Sequence, residues 1–386
     1  MKKILIIHNR YRFLGGEDIA VKNEVQLLRE KYEVKVLYFE NHILDNYELL
    51  TQFFYFLLNR NYKSRKILNE ALENFRPDYA YVHNTWFKAS PIIFSELQKR
   101  NIPTVLKLHN FRYNCTKYLF MKNHLNRNKF CSACGAENNI FLLNNYFKGS
   151  ILKSLAVIIY GKKYIKIIKN NKLKILVLTY FHKDFLINLG IDASRVHVLH
   201  NYLSIDSAPN TKNYHHNNII YAGRVSKEKG VENLIESFIN SNLEKMTLKI
   251  LGSGPDLKYL ENKYSSQKNV LFLGQVSNKL AIKEIHKSSA VVTATKLLEG
   301  QPTLLCEASY SGIPSIFPDT GGIREFFPGT TKLSFTQFDY EELTEKMKLL
   351  SSSNLRKKEG LDNKKFIQSL LNKENLFKEF EKVFNE

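Results

Sequence analysis

The sequence predicts two doubly wound α/β units in succession, and three observations carry that expectation. Short apolar runs of strand length alternate with longer segments at helical spacing, the signature of βαβ units and a parallel sheet. The alternation appears in residues 1–203 and again after Asn201–Asn217, a polar stretch without periodicity. The chain has 386 residues, 44% hydrophobic and 24% charged, which suffices for two cores and excludes disorder as the main state.

Each element follows from its own stretch. Lys3–His8 is a short apolar run suited to a buried parallel strand. Asn9–Gly16 reads as a loop, and Glu17–Lys31 carries Ile19, Val21, Val25, Leu27 and Leu28 mostly at helical spacing. Val34–Phe39 is the next strand, and Tyr79–His83 and Thr104–His109 are further strands that each end in a histidine. In the second half, Ile219–Ala222, Thr247–Leu251, Val270–Leu273, Ala290–Ala294 and Ser315–Phe317 read as strands. Gly230–Ile239 is a helix, and Gly252–Pro255 is a turn. The tail from Asn354 to Glu386 reads as basic and helical. Two such units imply a cleft, with ligands at the carboxyl ends of the strands.

Charge separates the halves. Lys and Arg number 57 against 37 Asp and Glu, a net of +20. Residues 1–203 hold 32 basic and 15 acidic residues, a net of +17, whereas residues 204–386 hold 25 and 22, a net of +3. A basic face attracts nucleic acid, an anionic membrane or a polyphosphate ligand. Nothing reads as a signal peptide, because only Ile4–Ile7 follow Lys2-Lys3 before His8. No apolar run approaches a membrane span of ~18 residues, and four cysteines do not make a disulfide scaffold. A cytoplasmic location is the simplest expectation.

The chemistry-bearing stretches lie at strand ends. Glu299 and Glu307 are eight residues apart, with Gln301-Pro302-Thr303 between them and Gly321-Gly322 following the next strand. Glu299 reads as a loop residue and Glu307 as part of the first turns of a helix. Carboxylates there accept ligand hydroxyls while backbone N–H groups face a phosphate. Upstream, Tyr221-Ala-Gly223-Arg224 and Lys229-Gly230 lie between a strand and a helix. Arg supplies a rigid fork for phosphate and Lys a point charge, and glycine lets the backbone approach closely. Taken singly, these features also suit surface charges on solvated loops.

Together they resemble the retaining glycosyltransferases of the GT-B fold, in the large sucrose-synthase-like family 4. The carboxylate pair is similar to that family's E-x7-E motif, Arg224 and Lys229 to its donor-diphosphate pair, and Gly15-Gly16 to its first glycine loop. The resemblance runs from Lys3 to about Phe327. His8–Asp18, His83-Asn-Thr-Trp86 and Leu108–Cys115 further resemble a bacterial branch that builds capsule, O-antigen or exopolysaccharide. It implies an acceptor-binding domain over 1–203 with a returning helix at about 370–386, and a nucleotide-sugar-binding domain over 204–369. Arg224 and Lys229 would neutralise the leaving diphosphate of a UDP- or GDP-sugar. Glu307 would hold ribose hydroxyls, Glu299 the donor sugar, and His109 the sugar near the reaction centre. Gly223, Gln301 and Thr303 would complete the donor site, and Gly15 and Gly16 would admit the diphosphate or the acceptor. A polyprenyl-diphosphate-linked glycan as acceptor, with the chain peripheral on the inner face of the plasma membrane, would account for the +17 carried by the first half. Pro302 departs from the family's frequent glycine and has no N–H to donate. There is no Asp-x-Asp, so no cofactor is expected for catalysis.

Cys115, Cys131 and Cys134 are spaced as part of a structural zinc site, with His109 or His124 as a fourth ligand, or as three reduced thiols left from an eroded one. Phe147–Lys169 places Ile151, Leu155, Ile158, Ile165 and Ile168 on one stripe and Lys162, Lys166 and Lys169 on another. That pattern suits a helix on an anionic membrane or a core helix with a solvated basic face. A dinucleotide-dependent oxidoreductase needs G-x-G-x-x-G, which is incomplete here. A nucleic-acid-binding protein is permitted by the charge, but no zinc-finger, helix-turn-helix or RNA-recognition pattern is present, so no nucleic acid partner is expected.

Overall fold

A computed structural model describes residues 1–11, 15–41, 45–58, 60–111, 113, 130–136, 151–170, 173–203 and 217–385. The chain divides into two compact units, Met1–Leu203 with Lys373–Glu386, and Ser204–Asn372.

In the first unit the strands are β1 (Lys3–Arg10), β2 (Glu33–Glu40), β3 (Tyr79–Val82), β4 (Thr104–Leu108), β5 (Lys174–Val177) and β6 (Val196–Val198). They form one parallel sheet in the order β2-β1-β3-β4-β5-β6. The helices are α1 (Gly16–Leu28), α2 (Asn46–Leu58), α3 (Tyr62–Phe75), α4 (Ile92–Lys99), α5 (Ile151–Asn170) and α6 (Tyr180–Asn188). Both faces of β1 are buried: Leu5 and Ile7 enter one core with Leu68 and Leu106, and Ile4 and Ile6 enter another with Val21 and Val25. That two-sided burial explains why the strand reads as a continuous apolar run.

In the second unit the strands are β7 (Asn218–Ala222), β8 (Thr247–Leu251), β9 (Val270–Gly274), β10 (Ala290–Val292), β11 (Ser315–Asp319) and β12 (Ser334–Thr336), in the order β12-β11-β10-β7-β8-β9. All its pairs are parallel. Its helices are α7 (Val231–Asn240), α8 (Leu257–Lys263), α9 (Asn278–His286), α10 (Thr303–Tyr310), α11 (Tyr340–Lys348) and α12 (Ser353–Leu370). The last helix, α13 (Lys373–Asn385), belongs to the first unit. It buries Leu376, Phe377, Phe380, Val383 and Phe384 against Ile4, Ile6 and Tyr81.

The structure corrects one sequence expectation and makes two others specific. The helical tail is two helices, α12 and α13, separated at Leu371–Asn372. The strand expected over Ala290–Ala294 stops at Val292, and Thr293 onward forms the loop that carries Glu299. Of the two readings left open for α5, the core helix with a solvated basic face fits most of its length: Ile158 and Ile168 are fully buried and Ile165 packs against the core, whereas Ile151 at the helix start is exposed. Lys162, Lys166 and Lys169 remain exposed as a solvated basic face. Among the described residues no helix is long and apolar enough to cross a membrane.

Candidate functional site

Doubly wound sheets bind ligands where the strand order reverses, beyond the carboxyl ends of the strands. In the second unit that point lies between β7 and β10. The loop after β7 carries Gly223 and Arg224, both exposed. It is held from beneath: Tyr221 donates its hydroxyl to the Arg224 carbonyl at 2.8 Å, and the Val225 N–H donates to Ser253 O at 3.0 Å. The following turn presses directly on it. A Cβ at Gly252, where φ is +136°, would sit 1.9 Å from the Gly223 carbonyl oxygen, so only glycine fits there.

Lys229 closes the short 3-10 turn before α7 and donates to Glu299 Oε1 at 2.5 Å. Thr295, in the loop after β10, donates its hydroxyl to the same oxygen at 3.0 Å. The Glu299 backbone is pinned from β11: the Gly322 N–H donates to its carbonyl at 2.8 Å. Gly321 is left-handed, with φ +58°, and a Cβ there would meet the Glu299 carbonyl oxygen at 2.3 Å. Three separate loops, after β7, β10 and β11, thus fix one half-exposed ion pair.

Beyond it, Pro302 occupies the N-cap of α10, Thr303 is its first residue, and Glu307 lies in its second turn. Gln301 is buried and bonds the buried Cys306 thiol. Burial pushes the Glu307 carboxyl up to about 7. The structure therefore places Gly223, Arg224 and Lys229 between β7 and α7, Glu299 and Gln301 in the loop after β10, and Thr303 and Glu307 on α10, all following the two strands that flank the switch point. Thr295, which the sequence reading did not single out, joins them through its bond to Glu299.

The switch point of the first unit, between β1 and β3, is built differently. His8, within the buried run of β1, lies 2.9 Å through its Nε2 from Asp18 Oδ1. Asp18 also accepts the Gly15 N–H at 2.9 Å and the Tyr11 N–H at 3.4 Å. Burial pushes the Asp18 carboxyl up, but the bonds from His8 and the two amides outweigh it and hold it below the usual carboxylate range. The anion-favouring start of α1 thus already faces a carboxylate of the chain itself. Gly15 has extended backbone, and a Cβ there would make only ordinary contacts, so the loop does not require glycine in this state. Gly16 is the first residue of α1.

His109 follows β4, with its Nε2 3.0 Å from His83 Nδ1. Burial holds both rings well below the usual imidazole range, so both are neutral near pH 7. Lys107, fully buried in the middle of β4, donates to Glu24 Oε1 at 2.9 Å. Burial pulls the lysine below its ordinary value, against the opposing pull of Glu24. Glu24, Lys107 and Asp18 were not foreseen as site residues. The available signal was Lys107, a lone charge inside a five-residue apolar strand.

Cys131 and Cys134 share one tight turn, in which the Gly135 N–H donates to Cys131 O at 2.8 Å and the Ala136 N–H to Cys134 Sγ at 3.3 Å. Cys115 and His124 lie outside the described residues. Among the described residues no group of three or more metal-ligating side chains occurs.

Comparison with known proteins agrees with this division. Residues 205–366, which include every site residue of the second unit, match the family described as glycosyl transferases group 1. The chain is 28% identical over 166 residues to protein CapJ of Staphylococcus aureus, covering 42% of this chain and 40% of that one. It is 28% identical over 176 residues to the capsular polysaccharide biosynthesis glycosyltransferase CapM of the same organism, covering 43% and 45%. The chain thus spans less than half the length of these curated relatives. Among solved structures it is similar to Anabaena HepE in complex with UDP and glucose, with a TM-score of 0.72 and 14% identity over the whole of both chains. The fold is GT-B, with two Rossmann-like parallel-sheet units.

Proposed function

We propose that the chain is a glycosyltransferase that moves a sugar from a nucleotide-diphosphate donor to a growing surface polysaccharide. One observation carries this reading: Arg224 and the Lys229–Glu299 pair converge on the β7/β10 switch point, within the segment that matches the glycosyltransferase family. In a transfer of this kind negative charge builds on the departing diphosphate. Fixed cations there stabilise the transition state more than the ground state. Arg224 offers a planar fork for that group, and Lys229 turns from Glu299 toward it. Glu299 then accepts from hydroxyls of the donor sugar, and Glu307 from those of the ribose. Pro302 leaves the amides of its neighbours Gln301 and Thr303 to donate.

HepE, which shares the fold, binds UDP and glucose, so a UDP-sugar is the donor to test first, with a GDP-sugar beside it. The acceptor we assign is a lipid-linked glycan, reached by a chain resting on the anionic inner leaflet, with transfer retaining the anomeric configuration and no cofactor in the reaction.

The test is thermal denaturation with UDP, GDP, ADP, NAD and a short DNA duplex, on the wild type and on Arg224→Ala/Lys229→Ala. A ligand at 100 times its Kd adds about 2.7 kcal/mol, a shift of several degrees. The expected result is a shift with one nucleoside diphosphate that the double variant loses. A shift with NAD or DNA alone would overturn the proposal. With the matching nucleotide-sugar, the anomeric proton couplings of the product then report retention or inversion.

A further inference from the structure

Beneath the first unit's switch point, five side chains form one connected set of contacts. Lys107 Nζ and the Tyr81 hydroxyl both donate to Glu24 Oε1, at 2.9 and 3.0 Å. The second carboxylate oxygen, Glu24 Oε2, accepts no hydrogen bond and lies 3.9 Å from His83 Nε2. His83 Nδ1 meets His109 Nε2 at 3.0 Å. At the end of the line, His109 Nδ1 is buried without a hydrogen-bond partner.

The contact between the rings holds one proton, and two arrangements satisfy it. Each ring is neutral, so each carries one N–H and one bare nitrogen. If His83 kept its proton on Nδ1, its bare Nε2 would turn a lone pair toward the Glu24 carboxylate. If the proton sits on Nε2, the N–H dipole points at that negative charge in a medium of low dielectric. The second arrangement makes His83 Nδ1 the acceptor. His109 must then donate from Nε2, which strips Nδ1 of its proton.

We propose that Glu24, acting through His83, is a positioning residue that fixes the tautomer of His109, so that His109 Nδ1 faces its ligand as a bare acceptor. A bare imidazole nitrogen takes a hydroxyl hydrogen and repels a phosphate oxygen. The ligand chemistry that follows is a hydroxyl of a sugar or glycan, not the diphosphate. Which hydroxyl it is rests on the transferase reading above, whereas the tautomer does not.

The experiment is a long-range proton–nitrogen correlation spectrum of the full chain labelled with 15N in its histidine rings, near neutral pH. His83→Gln and His109→Gln assign the two rings, each by the loss of one pattern. The expected wild-type spectrum shows both rings with a protonated Nε2 and an unprotonated Nδ1. Glu24→Gln/Lys107→Met removes the charge without leaving an unpaired one, and His109 is then expected to become a mixture of both tautomers. A protonated His109 Nδ1 in the wild type would overturn the proposal, as would an unchanged tautomer in the double variant. If the double variant does not fold, His83→Gln cuts the line while keeping the ion pair, and the same release of His109 is required. The spectrum uses no donor or acceptor, so its failure would leave the transferase reading intact. A failure to bind nucleotide would likewise leave the tautomer intact.

Discussion

Glu307→Gln is expected to remove a pH dependence of donor binding. Burial pushes the Glu307 carboxyl up to about 7 from an ordinary value of 4.5. Only the ionised carboxylate accepts fully from two ribose hydroxyls. Ionisation falls about tenfold between pH 8 and pH 6 for a group that titrates at about 7, so wild-type affinity falls by about the same factor. Above pH 8 the affinity is flat. The assay is calorimetric titration with an intact nucleotide-sugar, whose esterified phosphates do not titrate in this range. Near pH 7, runs in two buffers of different ionisation enthalpy also show proton release on binding. The glutamine variant binds more weakly, by about 1.5–3 kcal/mol for lost charge-assisted bonds, and its affinity does not vary with pH. Stability runs the other way. A carboxyl raised by burial contributes its stability below its unfolded value and loses it as pH rises through about 7. The wild type therefore carries at pH 8 a penalty of at most about 3 kcal/mol that the variant lacks. Superimposable pH profiles for wild type and variant would refute the assignment of Glu307 to the donor.

Three further outcomes follow from the packing. Gly321→Ala forces a left-handed alanine against the Glu299 carbonyl, so urea denaturation should show a loss of about 1–3 kcal/mol, and nucleotide-sugar affinity should fall with it; an unchanged affinity would separate Gly321 from the site. Lys107→Met or Glu24→Gln alone should cost about 3–5 kcal/mol, because each leaves a buried charge or polar group without its partner, whereas the double variant should lie near the wild type; additive losses in denaturant titrations would contradict that. The chain should float with anionic vesicles at low salt and release at high salt, because the exposed lysines of α5 carry the contact while most of its apolar stripe, Ile158 and Ile168 foremost, is buried. Flotation with uncharged vesicles would point to an apolar anchor instead.

The second unit was legible because its chemistry lies in local runs. Arg224, Lys229, Glu299 and Glu307 stand at turns between short strands and helices, and strand order alone carries those turns to one edge of the sheet. The first unit was less legible. Its network joins Asp18 and Glu24 on α1 to His8 on β1, His83 after β3 and Lys107 on β4. Such contacts are set by which side of each strand faces α1, and no local spacing encodes that. The α5 segment stayed between two readings for a related reason. An amphipathic pattern states that one face is apolar, and only tertiary packing decides whether a core or a membrane covers it.

The two switch points also explain why net charge misleads about ligand preference. The first unit carries the larger positive excess, yet the interior groups at its switch point are Asp18, which occupies the start of α1, two neutral imidazoles, and a lysine already spent on Glu24. Much of the excess instead sits on solvent faces such as that of α5. The second unit is nearly balanced, but Arg224 is exposed and Lys229 is held only by a half-exposed glutamate, from which an incoming diphosphate can draw it. Anion affinity depends on cations that a ligand can reach and that lose little when they change partners. On that criterion the less basic unit is the better candidate for the diphosphate proposed above.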